Sequence, residues 1–377
     1  MRHAHIAGWG KSVPDRRVTN NELAKLVETS DEWVRARTGI VERRIAGEGE
    51  TAITLAVKAA QEALRVARFN PRQVELIIVA TFSPDRVMPS TACMVQDALG
   101  ANKAAAFDVN AACSGFVYGL AIARSMMASG EYDNALVIGA EAVSHTLNWE
   151  DRSTCILFGD GAGAFLLQAS DHPGGILSVT LGADGSGGPL LTGPVVGNNY
   201  VPQVGSDLDL HHVSMNGPAV FRFATRILGK AAKESAKAAG LEMDDIELFI
   251  PHQANLRIIK SAAKQLKLPM DKVFVNLEKY GNTSSASVPL AFCEAIEEGR
   301  ISPGDHVVMV AFGAGLTWGA ATIQWARALP VPGEPHWHTP ARWAWYRLSA
   351  WRSLIRRFAL RIDTWVDTLY RRLRRRP

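Results

Sequence analysis

Short runs of consecutive apolar residues alternate along most of the chain with stretches in which apolar residues recur every three or four positions. VELIIVAT (74–81), AAAFDVN (104–110) and NALVIGAE (134–141) predict buried strands. In the second half IELFIP (246–251), KVFVNL (272–277) and DHVVMVAF (305–312) predict the same. Helical spacing lies between them, near 50–68, 90–99 and 113–129, then near 217–239, 254–266 and 284–298. Strands that alternate with helices and are apolar on both faces predict an α/β fold with largely parallel, covered sheets.

The two series echo each other. VELIIVA resembles IELFIPH, FDVN resembles VFVN, and DNALVIGA (133–140) resembles DHVVMVAF, in the same order. The order predicts a duplicated unit whose halves meet at ASDHPGG (169–175), with strand ends of both halves facing one central site. The expected division is residues 1–174, residues 175–328 and a separate tail over 329–377.

The tail breaks the pattern. LPVPGEPHWHTP (329–340) holds four prolines, which end regular structure. Beyond it, apolar Leu348, Trp351, Ile355, Phe358, Ile362, Trp365 and Leu369 step by three or four. Arg347, Arg352, Arg356, Arg357 and Arg361 fill intervening positions, which predicts a basic amphipathic helix. The overall charge of +4 therefore combines +8 in residues 330–377 with −4 in the body. The body is not a basic nucleic-acid binder, and no nucleic-acid partner is expected. Peripheral contact with an anionic membrane through residues 340–375 is one expectation for the tail; packing on the body or a partner protein, or an added or disordered appendage, are the others.

With 377 residues, 47% of them hydrophobic and 21% charged, the chain suits a large globular fold rather than a disordered or disulfide-stapled one. The four cysteines form no CxxC pair, so no metal is expected on them. The first residues lack the apolar run of a signal peptide. No apolar run nears the roughly 20 residues needed to span a bilayer. A reducing cytoplasm with free thiols is the expectation.

Four stretches carry chemistry. In DVNAACSGFVYGL (108–120) a strand runs into a turn with Cys113 at the start of a helix, where free N–H groups and the helix dipole favour a thiolate. An inert buried cysteine fits the same pattern. Cys93, Cys155 and Cys293 read as packing residues. His252 follows a strand in FIPHQANLRII (249–259), either as an acid/base or hydrogen-bonding group or as a capping histidine. Asn282 sits in the Gly/Ser-rich KYGNTSSASVPLAF (279–292), which a turn asparagine also explains. AFGAGLTWGAA (311–321) is a Gly-rich turn whose N–H groups can bind an oxyanion, without the Walker-A lysine or dinucleotide spacing.

Together DVNAACSGF, PHQANLRII, YGNTSSASVPLAF and AFGAGLTWG resemble the 3-oxoacyl-[acyl-carrier-protein] synthase III family of the thiolase superfamily. TSDEWVRARTGIVERR (29–44) and FGDGAGA (158–164) extend the resemblance over about residues 1–326. It implies a thiolase-like duplicated αβαβα layered fold, a homodimer, and a cytoplasmic acyltransferase that starts fatty-acid synthesis. An acyl-CoA would acylate Cys113, and malonyl-acyl-carrier protein would then condense with loss of CO₂. No metal or redox cofactor is implied. A specialised-metabolite ketosynthase or acyltransferase with another acceptor is the alternative of the same fold.

By the same resemblance Cys113, His252 and Asn282 form the catalytic triad. The N–H groups of Cys113 and Ala314 form an oxyanion hole, and Phe312 gates decarboxylation. Ala314 stands where many relatives have glycine, so its backbone must suit a Cβ. Trp33, Arg37, Arg152, Thr29 and Asn255 match positions that bind CoA. Arg257, Lys264 and Arg222 match the basic face for acyl carrier protein. Met88, Leu157 and Phe158 match positions of the acyl pocket, Met88 by reaching the partner subunit. Two departures stand out: Pro218 replaces a CoA-contacting asparagine, and Met88 replaces a phenylalanine of acetyl-selective members. The missing second cysteine in AFGAGLTWG disfavours a degradative thiolase.

Overall fold

The computed structural model describes residues 2–194, 212–325 and 339–374. Most of the Pro-rich linker expected from the sequence therefore lies outside the described residues.

Two sheets form the frame. The first contains β1 (His3–Ser12), β2 (Leu76–Ala80), β3 (Ala105–Val109), β4 (Asn134–Glu141) and β5 (Gly161–Ser170), in the order β1-β5-β4-β2-β3. The second contains β6 (Gly175–Ala183), β7 (Leu248–Pro251), β8 (His306–Gly313) and β9 (Thr317–Gln324), in the order β7-β8-β9-β6. Their pairing matches. β2 runs parallel to β4, with β5 and β1 following antiparallel. β7 runs parallel to β8, with β9 and β6 following antiparallel. Only Asp171–Gly174 separate β5 from β6, so the chain passes from the first sheet to the second there.

One strand expected from the sequence is corrected. KVFVNL does not form a ladder equivalent to β3; it keeps one parallel bridge, between Val273 and Phe249. The Gln253 side chain takes over the pairing. It donates to the Phe274 carbonyl at 3.2 Å and accepts from the Asn276 N–H at 3.0 Å. The chain then turns into the short helix Leu277–Tyr280.

The helices form three layers around the sheets. α1 (Asp31–Thr38) lies before the first sheet's covering helices α2 (Ala52–Val66) and α3 (Thr91–Leu99). α4 (Gly115–Ala128) and α7 (Ser287–Glu297) fill the middle layer, while α5 (Gly217–Ala238) and α6 (Leu256–Leu266) cover the second sheet. Strand alternation assigns the faces. In β2, Leu76 and Ile78 join the middle core with Phe116 and Phe292. Ile77 and Val79 join the outer core with Leu55 and Leu64. In β8, Val307 and Met309 face the middle layer, and Val308 and Val310 face Ile227 and Ile259. The result is a thiolase-like αβαβα sandwich. Beyond it, α8 (Thr339–Arg374) is a single long helix.

Candidate active site

Cys113 sits in a tight turn, Ala112–Ser114, between β3 and α4. Ala112 adopts φ 47°, a left-handed conformation that is costly for a residue with a Cβ. The opposite half holds the turn in place. The Ser114 hydroxyl lies 2.8 Å from Thr317 Oγ1. A Cβ on Gly313 would stand 2.7 Å from the Cys113 nitrogen, so only glycine lets β8 approach this closely.

The helix start was expected to favour a thiolate, but burial acts the other way. It pushes the Cys113 thiol up to about 12, against hydrogen bonds from the Ser284 and Asn282 side chains. The resting group is a neutral thiol. Of the other cysteines, Cys155 and Cys293 are buried as expected. Cys93 is exposed, because it lies on the outer side of α3 rather than facing the core.

His252 lies just beyond β7, its N–H bonded to the Val310 carbonyl at 2.7 Å. Its Nδ1 is 2.5 Å from Ser287 Oγ, at the first turn of α7. Its Nε2 is buried without a hydrogen-bond partner. Burial lowers its pKa to about 3, so the ring is neutral. Phe312 packs edge-on against it, ring centres 5.3 Å apart.

Asn282 is held by its backbone, which bridges to Phe158 and bonds to the Leu157 carbonyl at 2.8 Å. Its Oδ1 accepts from the Ser284 N–H at 2.8 Å, which orients the amide. Ser284, at φ 52°, donates in turn to Glu141. Glu141 is fully buried, also accepting from Thr81 and Ser83, and burial raises its pKa. Sequence reasoning missed Ser287, Ser284 and Glu141; nothing in their local spacing marks one serine among several.

Two cavities meet at the thiol. Cys113, Phe158 and Leu191 line both. The first, about 480 Å³, also holds His252, Asn282 and Phe312, with Leu157 on its wall. Toward its mouth stand Trp33, Arg37 and Arg152, then Asn255, Arg257 and Arg222, with Pro218 beside them. Two guanidinium groups lie over the Trp33 indole, Arg37 at 4.6 Å and Arg152 at 5.3 Å from the ring centre. Asn255 caps α6 through its Oδ1 and donates to the Arg37 carbonyl at 3.0 Å. The second cavity, about 430 Å³, is bounded by Phe82, Val213, Thr317 and Ala314. Ala314 is absent from the positive-φ residues among those described, so its backbone suits alanine.

Three sequence candidates line neither cavity. Thr29 precedes the cap of α1 with its hydroxyl buried. Lys264 lies in the last turn of α6. Met88 is 84% exposed. Among the described residues no cluster of His, Cys, Asp and Glu could hold a metal.

A buried thiol, an uncharged imidazole and an oriented amide at one point suit an acyl group held on sulfur and an oxyanion held by neutral donors. In a duplicated αβαβα sandwich this defines a thiolase-like condensing enzyme. The models described as "3-Oxoacyl-[acyl-carrier-protein (ACP)] synthase III" and its "C terminal" part match residues 107–185 and 236–325. The beta-ketoacyl-[acyl-carrier-protein] synthase III of Symbiobacterium thermophilum is 52% identical over 329 residues, 87% of this chain and 99% of that protein. That of Roseiflexus castenholzii is 50% identical, covering 86% and 98%. The crystal structure of the Aquifex aeolicus synthase III is similar with a TM-score of 0.80 at 46% identity, over 85% of this chain and 100% of that one. The priming beta-ketosynthase of the R1128 polyketide pathway gives 0.81 at 36% identity, over 86% and 97%. The chain belongs to the 3-oxoacyl-[acyl-carrier-protein] synthase III family and is a condensing acyltransferase.

Proposed function

We propose that this enzyme carries out the initiating condensation of fatty-acid synthesis in two half-reactions on Cys113, in the cytoplasm and without metal or redox cofactor. Cys113 attacks the thioester carbon of an acyl-CoA. The acyl–sulfur bond to CoA breaks, and CoA leaves as its thiol with the proton that Cys113 loses. The N–H groups of Cys113 and Ala314 receive the oxyanion of the tetrahedral intermediate. Malonyl-acyl-carrier protein then loses CO₂, leaving an enolate. The enolate carbon attacks the acyl-Cys113 carbonyl, releases 3-oxoacyl-carrier protein, and the sulfur takes up one proton.

The observation that carries this reading is the partnerless Nε2 of His252, buried in the cavity that also holds Cys113 and Asn282. When the Ser287 hydroxyl donates to Nδ1, the ring proton stands on Nε2 and is offered to the enolate oxygen, with the Asn282 amide beside it. A pKa of about 3 makes His252 a hydrogen-bond donor rather than a base. Phe312 shields the place where CO₂ departs. Trp33, Arg37 and Arg152 receive the CoA adenine, with Asn255 shaping that mouth. Arg222, Arg257 and Lys264 attract the acidic carrier protein. Leu157 and Phe158 border the acyl chain. The enzyme acts as a homodimer joined along β3, the half-exposed edge strand of the first sheet, with Met88 closing the partner's pocket.

The test is intact mass after incubation with a panel of acyl-CoAs, followed by malonyl-carrier protein. An adduct absent in Cys113→Ala and discharged as 3-oxoacyl-carrier protein is expected. An adduct that malonyl-carrier protein leaves untouched would assign another acceptor.

A further inference from the structure

α8 presents its two faces the wrong way round for a helix that only packs. Trp345 donates from Nε1 to the Leu99 carbonyl at 3.1 Å, under the Arg72 guanidinium. One turn on, Ser349 is buried; a turn further, Ser353 donates to Asp97 at 2.6 Å, and Arg357 reaches the same carboxylate at 3.0 Å. The end of α3 is shaped for this contact. A Cβ on Gly100 would meet the Ser349 hydroxyl and the Trp345 indole. At 100° per residue, positions 345, 349 and 353 share one side of the helix, while 351, 355, 358 and 362 share the opposite side.

That opposite side is apolar and open. Trp343, Leu348, Trp351, Leu354, Ile355 and Phe358 are each 59–66% exposed. The stripe from 343 to 362 is roughly 28 Å long at 1.5 Å per residue. Exposed apolar surface of that extent marks an interaction site. Residues 339–362 contain six arginines and no acidic residue, and Arg347, Arg352 and Arg356 are exposed. The segment also lies beyond residue 325, where the family match ends.

We infer that the outer face of α8 lies flat on an anionic lipid surface. The charge and the apolar stripe choose the occupant together. A second copy of the same face would set arginines against arginines, at a cost in like-charge contact. A nucleic acid would leave the Trp, Leu and Phe stripe in water. A bilayer interface takes both, with indoles at headgroup depth and arginines on anionic headgroups. No helix among the described residues is long and apolar enough to cross a membrane, so the attachment is peripheral. The contacts of Trp345, Ser349 and Ser353 then hold the catalytic body against that surface.

The full-length protein should float with vesicles of phosphatidylcholine and phosphatidylglycerol, and not with phosphatidylcholine alone. Added salt should weaken the binding. Trp351→Glu/Phe358→Glu should cut the floated fraction about tenfold or more, since both side chains leave the apolar interface. Arg347→Gln/Arg352→Gln keeps the stripe and removes charge flanking it, and should also lower the floated fraction, by about fivefold or more. Condensation activity in solution should be unchanged in both variants, because these residues are remote from the cavity. Equal flotation of wild type and both variants, equal binding to neutral vesicles, or no flotation at all would overturn the inference. So would a lower sedimenting mass in Trp351→Glu/Phe358→Glu, which would assign the face to a second copy.

Discussion

His252 has its charge state set by its surroundings rather than by solution pH. Its pKa falls from 6.5 to about 3 because burial penalises the imidazolium. In the unfolded chain it takes up a proton near pH 6.5; in the folded chain it does so only near pH 3. The folded state is therefore favoured fully above pH 6.5, and that advantage is lost as pH falls toward 3. Melting temperatures measured between pH 7 and pH 4 should fall less steeply in His252→Gln than in wild type. A parallel fall in both would mean that the native imidazole titrates normally. Ser287 is a positioning residue in this account. Ser287→Ala should slow condensation roughly tenfold, about the value of one hydrogen bond, while leaving acylation of Cys113 unaffected. Ser287→Thr should restore part of the rate; equal loss in both half-reactions would point to a packing defect instead. Cys113 and His252 were legible because each stands in a strand-to-helix turn, and Asn282 because it stands in a Gly/Ser-rich turn that opens a helix, all three with motif residues around them. Ser287 and Glu141 were not, because their partners lie 35 and 143 residues away, at His252 and Ser284.

At the scale of elements, apolar runs located strands wherever a neighbouring strand was free to pair. KVFVNL has the composition of a strand, yet the Gln253 side chain satisfies the backbone at Phe274 and Asn276 and ends the ladder. Composition does not reveal a side chain that competes for backbone groups. The turn after β8 is the converse case. Its glycines suggested an oxyanion site, but Gly313 also lets β8 meet the Cys113 turn at van der Waals distance. Gly313→Ala should displace that turn, destabilise the protein by roughly 1–3 kcal/mol, and reduce acylation strongly. Denaturant unfolding and intact-mass acylation rates check the two effects; unchanged values in both would show that the turn has room to move. On α1, the indole in contact with Arg37 and Arg152 predicts a different signature. Trp33→Ala should raise KM for acyl-CoA and leave KM for malonyl-carrier protein near its wild-type value.

The whole molecule is two sheets of matching pairing whose ends deliver one group each to a shared point: Cys113 from the turn after β3, His252 from beyond β7. The first sheet has one strand more than the second, β3, and that strand is where the symmetry of the halves breaks. It lies at the sheet edge with one side unpaired, and all five of its residues keep some exposure, unlike the fully buried β2 and β4. An open edge of this kind favours pairing with another strand. Met88 lies in the loop just before α3, and its exposure places it outside its own acyl cavity. The proposed dimerisation along β3 would give both features one cause. Sedimentation should show a dimer, and Phe107→Lys on β3 should shift it toward the monomer. Met88→Phe should leave the dimer intact and narrow the range of acyl-CoAs that acylate Cys113, because a bulkier ring would then intrude on the partner's pocket. A monomer in solution, or a primer range unchanged in Met88→Phe, would separate Met88 from primer choice and return that role to Leu157, Phe158 and the walls of the chain's own cavity.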